Sequence, residues 1–61
     1  MILNLGDIVF NGYDHWLVYD RVDYPEEVVQ YKLYVLEDGT WESYTAPFAG
    51  DMPSSIFTIV A

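Results

Sequence analysis

The stretch Val28-Val29-Gln30-Tyr31-Lys32-Leu33-Tyr34-Val35-Leu36 decides the fold. Val29, Tyr31, Leu33 and Val35 are apolar at every second position, while Val28, Gln30, Lys32, Tyr34 and Leu36 are mixed. Successive side chains of a strand point to opposite faces, so the pattern predicts a strand with one face inward. A competing reading starts upstream. Asp23-Tyr24-Pro25-Glu26 has the form of a helix start: a capping Asp, Pro in the first turn and Glu three residues after the cap. That reading gives a helix from Pro25 to about Leu36. The clean period of two, the valines and tyrosines, and the Asp38-Gly39 turn that follows favour the strand.

Turn chemistry divides the rest of the chain into similar pieces. Gly6–Phe10 reads as a first strand and Asn11-Gly12 as a turn. His15–Val22 reads as a second strand. Its run Trp16-Leu17-Val18-Tyr19 lacks alternation, which predicts burial on both faces. Glu37-Asp38-Gly39-Thr40 is a hairpin turn and Trp41–Ala46 the returning strand. Pro47–Pro53 is a Pro- and Gly-containing loop, and Ile56–Val60 closes the domain. Short strands at this spacing predict an all-β domain spanning residues 1–61, with room for one short helical turn. Closing the sheet into a small five-stranded barrel would remove its exposed edges.

Three patches carry a resemblance. Leu5-Gly6-Asp7-Ile8-Val9 looks like the Gly-Asp-apolar entry to a barrel strand. Asp38-Gly39-Thr40-Trp41-Glu42 looks like the Asp-Gly-Trp-Trp segment of SH3 domains, with Thr40 in place of the first Trp. Gly50-Asp51-Met52-Pro53-Ser54-Ser55-Ile56 looks like their Gly-x-x-Pro-Ser-Asn-Tyr turn. The chain therefore resembles SH3-like barrels over about a third of its length. The Ala-Leu-Tyr-Asp-Tyr start of that family is absent, and Ile56 replaces a Tyr of its peptide groove. The resemblance thus implies the barrel more strongly than the groove. It also implies an alternative function, recognition of a basic, Pro-rich peptide through Trp41, Pro53 and the acidic segment 20–27.

Composition limits the chemistry. The 61 residues hold ten Asp and Glu against Arg21 and Lys32, a net charge of −8. There is no Cys and one His, which removes disulfides and a Cys/His zinc site. Asp14-His15 and the serines supply the letters of a hydrolytic triad without a nucleophile elbow or oxyanion loop. No calcium loop or Gly-rich phosphate loop is present. The expectation is a non-enzymatic protein with no catalytic residue, no metal and no cofactor.

The same charge points to a partner. Direct binding to nucleic acid or an anionic membrane needs Lys and Arg that this chain lacks. Met1–Gly6 has no positive n-region and no apolar run approaches a membrane span, so a cytoplasmic location is expected. A net −8 in a small domain costs stability by self-repulsion, which favours a functional acidic surface over a merely solubilising one. The acids cluster at Asp20, Asp23, Glu26 and Glu27, and again at Glu37, Asp38 and Glu42. Tyr24 and Trp41 lie among them as aromatic anchors. These nine residues are the expected partner-binding set. The expected partner is a protein with a basic, nucleic-acid-binding surface. In size and charge the chain is similar to phage-encoded DNA-mimic inhibitors, among them uracil-DNA glycosylase inhibitors and anti-CRISPR proteins. That likeness implies competitive occupation of phosphate-binding sites. A structural homo-oligomer packed through Trp16–Tyr19 is a further alternative.

Overall fold

Five antiparallel strands form one sheet in the computed structural model, which describes residues 1–61. They are β1 (Ile8–Phe10), β2 (His15–Tyr24), β3 (Val28–Val35), β4 (Trp41–Ala46) and β5 (Thr58–Ile59). A four-residue turn, α1 (Pro47–Gly50), precedes β5. The order across the sheet is β4-β3-β2-β1-β5. The first four strands are a meander, and the chain crosses back to add β5 beside β1.

The alternation in β3 holds throughout. Val29, Tyr31, Leu33 and Val35 are buried, and their neighbours are half-buried. The segment is a strand because this period seats four apolar side chains on one face, which a helix would scatter around its axis. Pro25–Glu27, the proposed helix start, is instead the turn between β2 and β3. The expected all-β class is therefore present, with one short helical turn, at Pro47–Gly50.

The core lies on one side of the sheet. Val9, Val18, Val29, Tyr31, Leu33 and Ala46 face Leu3, Met52 and Phe57 from the segments outside the strands. Trp16 and Tyr44 pack at its margin against Phe57. The molecule is 15 Å thick in its shortest dimension, enough for one sheet and one covering layer. The Tyr31 hydroxyl ties the layers together, accepting from the Leu3 amide and donating to the Gly50 carbonyl.

Two expectations are corrected. The sheet does not close into a barrel: β4 and β5 end it, and no ladder joins them. The covering layer of loops buries the core without closure. Nor is Trp16–Tyr19 buried on both faces. Val18 is buried, but Tyr19 is exposed. The register slips by one residue between Val18 and Asp20, so Tyr19 is the extra residue of a bulge. A bulge re-aims the side chain it carries, and here it turns Tyr19 onto the open face.

Candidate binding face

The register assigns each side chain of the meander to a face, because directly paired residues share one. Tyr34 pairs with Leu17 and Trp41, Lys32 with Asp20 and Ser43, and Gln30 with Val22 and Thr45. These residues lie opposite the core. Three aromatics meet among them. The Tyr19 and Trp41 rings stand nearly perpendicular with centroids 4.7 Å apart, and Tyr34 lies 4.5 Å from Trp41. Trp41 is 65% exposed, so the cluster is open to solvent. A shallow groove of about 270 Å³ runs beside it, lined by Tyr19, Gln30, Lys32, Trp41, Glu42 and Ser43.

The nine residues expected to bind a partner separate into three places. Asp23, Tyr24, Glu26 and Glu27 gather at the β2–β3 turn, with Tyr24 and both glutamates exposed. Glu37 and Asp38 sit in the turn at the far end of β3. Eight residues of strand separate the two turns, roughly 26 Å at about 3.3 Å per residue. Asp20, Trp41 and Glu42 lie between them on the strands. Asp20 and Trp41 belong to the open face, whereas Glu42 pairs with the buried Leu33 and leaves from the opposite side of β4.

Several of these carboxylates hold the fold. Glu37 accepts from the amide of His15 at 2.7 Å and contacts its Nδ1 at 2.6 Å. The His15 ring stacks on Phe10, so Glu37 locks the start of β2 against the end of β3. The contact with the imidazole, followed by the bond from the His15 amide, holds the Glu37 carboxyl below the ordinary carboxylate range. Asp38 accepts from the hydroxyl and the amide of Thr40 and is lowered for those reasons, in that order. Asp23 pairs with Arg21 at 3.0 Å, and the Arg21 guanidinium lies 5.8 Å from the Tyr31 ring centroid. Asp20 accepts from the neighbouring Arg21 amide. Glu26, Glu27 and Glu42 make no side-chain hydrogen bond or ion pair within the chain.

The β2–β3 turn has a second feature. Glu26 and Glu27 both have positive φ, 66° and 60°, in the left-handed region where a Cβ is disfavoured. Phe48 and Ala49 of α1 adopt the same region at 58° and 61°. The two turns are joined, since the Ala49 amide donates to the Glu27 carbonyl at 2.7 Å. Phe48 is 80% exposed beside them.

Charge clustering in the sequence did not isolate Tyr19, Tyr34, Gln30, Lys32 and Ser43 as one face. Counting back from the Asp38-Gly39 turn sets Tyr34 opposite Trp41, so that contact was available from the sequence. Tyr19 was not, because its place depends on the bulge. No three Asp, Glu or His side chains converge to a metal-binding group, and no helix is long and apolar enough to cross a membrane. No family model, no curated protein and no solved structure matches the chain.

Proposed function

We propose that the chain is a non-enzymatic binding protein whose open sheet face and acidic turns occupy a basic surface of a partner protein. One observation carries the reading: exposed Tyr19 and Trp41, with half-buried Tyr34 against Trp41, form a cluster opposite the core on a chain of net charge −8. Aromatics supply contact area at low entropy cost, and carboxylates steer a basic partner and fix its orientation. Glu26, Glu27 and Glu42 are free to do so because the fold does not use them. A nucleic-acid-binding surface is the partner best suited to this charge, and competition with its phosphate ligand follows. That is the action of a DNA-mimic inhibitor of the phage-encoded kind. Carboxylates spread over about 26 Å of meander, at about 3.4 Å per base pair, span roughly eight base pairs of duplex.

Affinity capture on the immobilised protein at low salt tests the proposal. A basic protein is expected to bind, to elute steeply with salt, and to be displaced by duplex DNA. Capture that is insensitive to both salt and DNA would sink it.

A second reading is favoured by the groove. Trp41 and Tyr19 supply an aromatic wall, with Asp20 of the acidic segment on the same face, of the kind an SH3-like module offers a basic, Pro-rich peptide. The four-stranded meander, the return of β5 to pair with β1 and the turn at Pro53–Phe57 before that last strand support the kinship. An array of Arg-containing PxxP peptides separates the two readings.

A further inference from the structure

The edge strand β4 has unpaired backbone. In an antiparallel ladder, pairs that exchange hydrogen bonds alternate with pairs that do not. The Val35 amide donates to the Thr40 carbonyl, so the bonding pairs that follow are Leu33–Glu42, Tyr31–Tyr44 and Val29–Ala46. Trp41, Ser43 and Thr45 therefore direct their amides and carbonyls away from β3. No other strand or loop receives them.

Natural sheets blunt such edges with Pro, Lys, bulges or very short strands. The other edge follows that rule. Strand β5 has two residues, and the adjoining Val60 and Ala61 are bonded to Ile8. Strand β4 does not. It is six residues long, contains neither Pro nor Lys, and pairs with β3 without a register shift. Its one protective feature is the charge of Glu42.

That charge selects an occupant. Trp41, Ser43 and Thr45 lie on the open face, and Glu42 projects from the other side of β4. A strand added at this edge sets alternate side chains against Trp41 and Ser43 on one face and against Glu42 on the other. A second copy would bring Glu42 and another charge of −8 to the same edge, which opposes self-pairing. We propose that β4 binds an extended segment of a partner by strand addition, a segment whose basic side chains lie toward Glu42 and whose apolar side chains cover Trp41. The inference takes from the proposed function only the basic character of the partner. Backbone bonds supply the affinity, and Glu42 and Trp41 supply the preference for alternating basic and apolar residues.

The probe is a short synthetic peptide of alternating lysine and valine, added to the full chain at low salt. At about ten times its Kd, amide hydrogen exchange at Trp41, Ser43 and Thr45 is expected to slow about tenfold. N-methylation of the peptide backbone at its edge-facing positions is expected to abolish binding. The exposed Glu42→Lys variant, checked for folding by circular dichroism, is expected to lose the lysine peptide and to gain an alternating glutamate–valine one. Binding without slowing at the three amides, or equal binding by the N-methylated peptide, overturns strand addition and leaves the basic-partner reading standing. So does failure of the lysine peptide to bind while the low-salt capture succeeds. Slowing of the same amides without peptide, accompanied by a concentration-dependent mass, assigns the edge to a second copy and also overturns the proposal.

Discussion

The Tyr31 hydroxyl donates to the Gly50 carbonyl at 2.6 Å, and a Cβ built on Gly50 would lie 2.7 Å from that same oxygen. The bond and the glycine are therefore one device. Gly50 has φ of +87°, which excludes most other residues, and its lack of a side chain lets the tyrosine reach across. The same Cβ would meet two Val29 carbons at 3.1 Å. Gly50→Ala is expected to destabilise the domain by about 2–3 kcal/mol, combining backbone strain with a contact that buried Tyr31 has no room to relieve. Urea unfolding measures it, and a loss below about 0.5 kcal/mol would show that α1 can move away.

Tyr31→Phe tests the bond without the clash. It leaves the Leu3 amide and the Gly50 carbonyl without their partner in a buried place. An unsatisfied buried group costs about 1–3 kcal/mol, whereas the loss of an exposed hydrogen bond costs far less. A loss in the range of about 1–3 kcal/mol is expected, with the m-value unchanged. A neutral result would mean that water replaces the hydroxyl.

Glu37 gives the domain an acid-sensitive contact. Its carboxyl in the folded chain titrates below the ordinary value of 4.5 because of the contact with the His15 imidazole. A group whose pKa is depressed on folding stabilises above its unfolded value, and the benefit is lost as pH falls through the folded value. The Glu37 contribution is thus complete above about pH 4.5 and is lost progressively as the pH falls from there through the lower folded value. Protonating the other carboxylates relieves self-repulsion over a similar range, so total stability is the wrong readout. The difference between the native chain and Glu37→Gln is the right one, and it is expected to narrow as pH falls below 4.5. A difference that stays constant with pH would mean that the charge on Glu37 contributes nothing to joining β2 and β3.

Trp41 is expected to matter for binding more than for folding. It is exposed, and its ring packs on the outward aromatics Tyr19 and Tyr34. Losing such ring pairs costs about 1 kcal/mol. An interface anchor is worth about 2 kcal/mol or more, roughly a thirtyfold change in affinity. Trp41→Ala is therefore expected to unfold at slightly lower denaturant and to bind the captured basic partner about thirtyfold more weakly. A stability loss above about 3 kcal/mol with unchanged affinity would make Trp41 a packing residue instead.

The strands were legible where one local rule decided them. Period two fixed the faces of β3, and Asp38-Gly39 fixed the hairpin that makes Trp41–Ala46 its partner. Three features were not legible, because each depends on contacts distant in sequence. Whether five strands close depends on Leu3, Met52 and Phe57 covering the core from outside the sheet. The exposure of Tyr19 depends on a one-residue slip that the run Trp16–Tyr19 does not encode. The acidic clusters were visible as composition. That Glu37 and Asp38 hold a turn, while Glu26, Glu27 and Glu42 stay free, needed the positions of His15 and Thr40.

The paired left-handed turns yield the last expectation. Glu27 and Ala49 both have positive φ without being glycine, and the Ala49 amide donates to the Glu27 carbonyl. A residue with a Cβ in that region costs about 1–2 kcal/mol, while glycine adds about 0.5–1 kcal/mol of unfolded-state entropy. The first effect is larger, so Ala49→Gly is expected to stabilise by about 0.5–1 kcal/mol. It changes no charge, which makes it the reference for Glu27→Gly. That second variant also removes one carboxylate from a crowded acidic turn and is expected to stabilise slightly more. Adding salt distinguishes the two contributions: the gain at Ala49 should persist, and the excess gain at Glu27 should shrink as screening grows. If the turn at Glu26-Glu27 is held strained for binding, Glu27→Gly is expected to weaken partner capture while raising stability. Weakened capture together with lost stability would mean instead that the turn is needed for the fold itself.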